Sequence, residues 1–450
     1  MKERAKQKGF LWGVSWFLWL LLLALQIRLM LCFRGEQFGD FIEYVNKAKE
    51  VSAARAFYPR VQDLQGVFYL HAPGYINFLS LVFRLTDNLR VLFCFNILFL
   101  QILLFSAKYI VYRLTGRQRC AEMFQILYCI YFSLGVGGGI VLANTEMPFC
   151  ALVFLSMALT MMTKKHKVLI LAAAGAVMGA ANWIRPVMIL FMPAALWGLY
   201  WTEKKKVLRN TICYCVPMLA CILCIGAVSY FNCGKFVYQS TTMGINLYIG
   251  NNPVADGNNH WDAVLNPELG GGAPIDSEKT ADWTYEEWEE YYLHTALDYM
   301  KENPVQVIKL MPHRLFYLWA TDVYFAMTYA DNEVNTETTE YIMGIVDKVR
   351  NLRFSELEAI DLLTILTECY YFFVLSLAVI GVARQVRGKV WLAWAGIYSI
   401  VALGTGVLMF MFGYGRFHFP YMIAVLMIAQ GALIRSEKVI EDLKDTDRTM

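Results

Sequence analysis

Four charged side chains stand at the edges of apolar stretches: Asp40, Glu146, Arg185 and Arg416. A carboxylate can take a proton from a hydroxyl, and a guanidinium can hold a phosphate through paired N–H donors. Two acids and two guanidiniums brought to one level could therefore bind a phosphate and activate an alcohol. Each also has a local reading. Asp40, in Phe38-Gly39-Asp40-Phe41-Ile42-Glu43-Tyr44, has a glutamate three residues on, as at a capping-box helix start. Glu146, in Ala143-Asn144-Thr145-Glu146-Met147-Pro148, falls in a first helical turn, where the dipole favours an acid. Arg185 and Arg416 resist such a reading, because arginines concentrate on the cytoplasmic side of membrane proteins and the topology below puts these two opposite; snorkelling to headgroups is the local alternative. Arg416, in Tyr414-Gly415-Arg416-Phe417-His418-Phe419-Pro420, directly precedes an apolar helix whose amino end also welcomes an anion. His71, in Tyr69-Leu70-His71-Ala72-Pro73-Gly74-Tyr75, is open to metal binding, phosphate binding or plain solvation. His260, His294, His313 and His418 are too scattered to make a ligand set by spacing.

The elements that must position these groups follow from composition. Of 450 residues, 58% are apolar and only 17% charged, with a mean hydropathy of +0.42. A soluble chain carries roughly 25% charged residues, so a water-soluble enzyme and a disordered chain are both excluded. The net charge of +3 conceals a division: residues 232–360 hold 20 acids and 8 bases, net −12, leaving +15 elsewhere. An acidic domain on one side of a bilayer and basic loops on the other account for that.

A spanning helix needs roughly 20 apolar residues. Candidates run at about 11–33, 89–112, 121–137, 146–162, 168–183, 186–201, 208–231, 362–383, 390–412 and 417–434, the first behind Lys2, Arg4, Lys6 and Lys8 and read as an uncleaved signal anchor. Ten crossings put Arg113, Arg117 and Arg119, Lys164 to Lys167, Lys204 to Arg209, Arg384 to Lys389, Arg435 and Lys438 all on the side of the amino terminus. Both termini are then cytoplasmic in a plasma membrane. The stretches flanking Asn182-Trp183-Ile184-Arg185-Pro186 are short, so 168–200 is either two crossings or a re-entrant hairpin, with Pro186 at the break.

The fold expected is an all-α polytopic membrane protein in three parts. Residues 1–231 form a membrane domain whose first outer loop (34–88) carries two amphipathic surface helices, at 40–57 and 73–85. Residues 232–360 form an acidic extracytoplasmic domain of mixed structure, with a helix at 283–300 ended by Asn303-Pro304 and an interfacial apolar continuation to Met327. Residues 361–450 supply the last helices and a cytoplasmic tail. Within the acidic part, Gly244-Ile245-Asn246-Leu247-Tyr248-Ile249-Gly250-Asn251-Asn252-Pro253 reads as a turn-rich run that either lines a sugar site or is a turn. The eleven cysteines, mostly inside apolar stretches, read as small hydrophobes. No Walker loop, dinucleotide fingerprint or HExxH occurs, and a nucleic-acid partner is not expected.

Taken in order, Gly39-Asp40 after the first helix, His71-Ala72-Pro73-Gly74-Tyr75, Asn144-Thr145-Glu146, Asn182-Trp183-Ile184-Arg185-Pro186 and Gly415-Arg416-Phe417-His418-Phe419-Pro420 resemble the GT-C superfamily of integral-membrane glycosyltransferases. The branch is that of protein O-mannosyltransferases and aminoarabinose transferases. The resemblance implies transfer of a hexose or pentose from a polyprenyl-phosphate-linked donor to a cell-envelope acceptor at the outer face, with inversion. By it, Asp40 is the general base or a ligand of a divalent metal beside it. Arg185, Arg416 and His71 bind the donor phosphate, and Glu146 serves a metal or the acceptor. Where protein O-mannosyltransferases have Asp-Glu, this chain has Asp40-Phe41, which argues against a protein acceptor of that class. A rival of another class is a transporter or flippase of a lipid-linked saccharide. It would need polar groups through the membrane middle, where few charges are found.

Overall fold

The computed structural model describes residues 2–32, 40–60, 71–137, 145–162, 167–259, 261–265, 282–322 and 338–434. Helices are the only regular elements among them: α1 (Lys2–Cys32), α2 (Asp40–Ala53), α3 (Pro73–Phe83), α4 (Arg90–Thr115), α5 (Gln118–Ile130), α6 (Glu146–Thr160), α7 (Lys167–Ile184), α8 (Met192–Thr202), α9 (Val207–Cys233), α10 (Met243–Gly250), α11 (Tyr285–Glu302), α12 (Pro304–Trp319), α13 (Thr338–Arg350), α14 (Ala359–Arg387), α15 (Ala395–Leu408) and α16 (Phe419–Leu433). Six helices are long and apolar enough to cross a membrane: Gly9–Cys32, Arg90–Thr115, Lys167–Ile184, Lys204–Cys233, Ala359–Arg387 and Trp391–Leu408. Pro73–Phe83, Glu146–Thr160 and Pro186–Thr202 are apolar but shorter. This is the architecture of a helical multi-pass membrane protein.

The described part of the acidic domain corrects two expectations. It contains no strand, so it is helical rather than mixed, and Gly244–Gly250 of the expected turn-rich run lie in a helix, α10, with the turn confined to the residues that follow from Asn251. Glycine and asparagine signal turns when backbone freedom is what selects them, but here close packing does. A Cβ on Gly244 would lie 2.3 Å from the Glu289 carbonyl oxygen, and one on Gly250 1.8 Å from that of Met411. The amino end of α10 is capped from α11: Glu289 Oε1 accepts the Gly244 N–H at 2.6 Å, while burial pushes this carboxyl above the usual range. Ile245, Tyr248, Trp288, Tyr292 and Phe412 close a small separate core. Trp288 and Tyr292, whose rings stack at 5.5 Å, are thereby occupied in packing.

Helix ends follow local rules. Gly116 and Gly234 end α4 and α9 in the left-handed region, at φ 64° and 73°, and Thr284 with Glu287 forms a capping box at α11. α16 is buried from Phe419 to Ala432, which fits a sequence in which only Tyr421 and Gln430 carry polar side-chain groups in that span. It is a buried helix of the bundle, packed chiefly on α14, and Arg416 stands shortly before it.

α7 and α9 approach through small residues. A Cβ on Gly175 would meet the Tyr214 carbonyl oxygen at 2.0 Å, and one on Gly179 the Met218 carbonyl oxygen at 2.8 Å. The obstacle is backbone, which no rotamer change relieves. Gly175→Ala should therefore destabilise the protein by about 1–3 kcal/mol. Gly406→Ala in α15, with nothing within 4 Å, should leave it unchanged or slightly firmer. Thermal midpoints in detergent check the contrast; equal values for the two variants would contradict it.

Candidate anion site at one end of the bundle

Three elements deliver charged groups to one point. Glu146 opens α6. Arg185 follows α7 with an extended backbone, φ −144° and ψ 130°, because the residue before a proline is sterically driven out of the helical region. That turn takes its side chain off the α7 axis and over the start of α6. Arg416 sits in a 3-10 turn, Gly415–His418, ahead of α16. Arg185 Nη1 lies 2.6 Å from Glu146 Oε1, Arg416 Nε donates to the same oxygen at 2.9 Å, and Arg416 Nη2 reaches Oε2 at 3.5 Å. Glu146 is fully buried, whereas the Arg185 and Arg416 side chains keep 21% and 17% of their surface exposed.

One carboxylate against two guanidiniums leaves the trio with one positive charge. The Arg185 guanidinium has no acceptor other than Glu146 among the described residues, so its Nε and Nη2 donors are available to a ligand. Glu146, with its oxygens engaged, is placed to orient the arginines.

The first-loop elements cover this point. A Cβ on Gly74 would lie 2.8 Å from the Trp183 carbonyl group, so only glycine lets α3 settle on the end of α7. Phe57 stacks on Trp183 at 5.3 Å. Tyr75 is buried, and burial together with the neighbouring Tyr44 and Glu146 raises its phenol, which stays protonated. His71 Nε2 is 2.9 Å from Glu43 Oε2, and the Tyr44 ring lies 5.3 Å from that of His71 and 5.4 Å from that of Tyr75. His71 thus belongs to a carboxylate–imidazole pair, with Tyr44 between it and Tyr75. Asp40 is the first residue of α2, one turn ahead of Glu43; its carboxylate lies outside the described residues. His260 is outside them as well.

No group of three His, Cys, Asp or Glu among the described residues could hold an ion.

Three partnerships escape sequence reasoning. Glu43 looks there like no more than part of a helix start. His418, one of the scattered histidines, is buried between the Leu318 carbonyl at 2.7 Å from Nδ1 and Asp322 Oδ1 at 2.9 Å from Nε2. A carbonyl only accepts, so Nδ1 carries a proton and donates. The third lies near the α4–α5 connection: Lys108 Nζ is 3.0 Å from the buried Glu122, beside Gln125 and Ser15, and a further polar group, Trp19, Gln101 and Gln26, lies between α1 and α4. A lysine and an acid on successive apolar helices were the signal available for it.

The opposite end of the same helices holds basic residues around Glu203, which binds Lys167 and, at 2.9 Å, Lys206. Comparison with family models, with curated proteins and with solved structures gives no match for this chain.

Proposed function

We propose that the protein is a GT-C-like membrane glycosyltransferase that moves a sugar from a polyprenyl-phosphate-linked donor to an extracytoplasmic cell-envelope acceptor. The observation that carries the reading is the convergence of Arg185 and Arg416 on buried Glu146, with one positive charge in excess and open donors on Arg185. An anion held there sits at helix ends, at the depth of a lipid headgroup rather than in the hydrocarbon. In this reading ten crossings keep both termini cytoplasmic and the trio outside, opposite the basic end at Glu203. The acceptor oxygen attacks the anomeric carbon, Asp40 takes its proton, and the bond to the phosphate oxygen breaks. Negative charge grows on the departing lipid phosphate, where Arg185 and Arg416 stabilise it. His71, held by Glu43, contributes a third cationic contact when protonated.

Purified protein incubated with synthetic polyprenyl-phosphate sugars tests this. Wild type should transfer the sugar, and Asp40→Asn should lose about 10²–10⁴-fold in turnover. Full activity in the mutant removes Asp40 from the chemistry.

One observation favours a second reading, transport of a lipid-linked saccharide: the buried Lys108–Glu122 pair and the glutamines beside it supply polar groups inside the bundle. Lipid movement across vesicles, with no transfer from any donor, would select it.

A further inference from the structure

The turn that carries Arg416 is anchored by α12 and the residues that follow it. α12 carries Arg314 and Leu318 four residues apart on one face, and Asp322 stands three residues beyond the end of the helix at Trp319. Arg314 is 1% exposed, yet no carboxylate pairs with it among the described residues. Its guanidinium is instead spent on uncharged acceptors: Nη1 donates to the Met409 carbonyl at 2.8 Å, and Nη2 to the Gly250 carbonyl at 2.7 Å and Asn251 Oδ1 at 3.0 Å. A buried cation is costly unless its donors find acceptors. A mere space-filler here would be apolar, so the charge is there for the directed bonds. Those bonds join the acidic domain, at Gly250 and Asn251, to the chain just ahead of Arg416.

The carboxyl end of α12 and the residues just past it hold the chain just after Arg416. The Leu318 carbonyl accepts from His418 Nδ1, Asp322 faces Nε2, and the Trp319 ring stacks on His418 at 5.5 Å. Between the two anchors the backbone lies hard against α12. The Gly413 N–H donates to the Gly257 carbonyl at 2.8 Å, and a Cβ on Gly413 would stand 2.1 Å from the Arg314 carbonyl oxygen.

We propose that Arg314 is a positioning residue for Arg416, and that α12 couples the acidic domain to the guanidinium that holds the donor phosphate. The ligand half of this statement rests on the function proposed above; the mechanical half does not. Because α11 and α12 meet at Asn303, a change in the acidic domain is passed along α12 to both anchors of the arginine turn.

The test uses the full chain in detergent, a sugar-free polyprenyl phosphate as probe, and hydrogen exchange of the 409–420 segment without ligand. Arg314→Met should weaken binding about tenfold, as expected for groups coupled through shared partners, and Arg314→Lys should recover part of the loss. Gly413→Ala should reproduce the defect with Arg314 intact. Both should speed exchange at 415–420. Added to Arg416→Met, Arg314→Met should cause no further loss of affinity. Unchanged exchange in Arg314→Met and Gly413→Ala overturns the proposal, as does full additivity with Arg416→Met, since that would mark a global effect. Should wild type ignore polyprenyl phosphate, the proposed function fails, while the exchange data still decide the positioning claim.

Discussion

Purified protein carrying Arg416→Met should turn over about 10²–10³-fold more slowly than wild type, the loss expected when one preorganised donor to a developing negative charge is removed. Arg185→Met should lose a similar factor. If sugar is transferred from a lipid phosphate as proposed, kcat should in both fall more than KM rises, because the departing phosphate would carry more charge in the transition state than in the bound donor. Arg416→Lys should recover little. Its ammonium keeps the charge but cannot reproduce the two N–H contacts that Arg416 makes with Glu146, at 2.9 and 3.5 Å. The geometry also says why these variants remain folded. Glu146 is buried and would be costly to leave unpaired, but it has two cationic partners. Removing either one leaves the carboxylate neutralised by the other. Turnover by both methionine variants within about threefold of wild type would sink the assignment, since that is below the effect of even one lost donor.

How far the sequence disclosed this site can be argued residue by residue. Spanning helices were legible because an apolar run of about twenty residues matches the thickness of a bilayer and little else; the 89–112, 168–183 and 208–231 stretches coincide with α4, α7 and α9 within a few residues. Arg185 and Arg416 were legible for a different reason: each adjoins an apolar stretch at the end opposite the basic loops in the topology expected from the sequence. Glu146 was legible as a position but not as a partner, since a first-turn acid is common and nothing in its neighbours names two arginines 39 and 270 residues away. α10 was hidden because glycines selected for helix contact look like glycines selected for turns. Arg314 was hidden because its partners are chiefly carbonyl groups, which every residue has. Glu43 was hidden by a sufficient local role, the helix start, that left no reason to seek His71.

Glu146→Gln should have the opposite profile to the arginine variants: a large loss of stability, partly reversible by ligand. The amide keeps the shape and removes the one negative charge, so the trio goes from one net positive charge to two. Breaking a buried ion pair from one side costs about 3–5 kcal/mol, and the partial exposure of both arginines puts the expectation at the lower end of that range. The same change creates a vacancy for an anion. Phosphate in the site of Glu146→Gln replaces a lost carboxylate as well as occupying the ligand position. A polyprenyl phosphate should therefore raise the thermal midpoint of this variant more than that of wild type, by the linkage between binding and unfolding. Arg416→Met should show the smallest rise of the three. If Glu146→Gln cannot be isolated, Glu146→Asp keeps the charge on a shorter arm, loses reach to one arginine, and should fall between. A variant as stable as wild type, with the same ligand-induced rise, would mean that Glu146 does not hold the arginines apart. Their convergence would then be a by-product of helix packing rather than a prepared seat for phosphate.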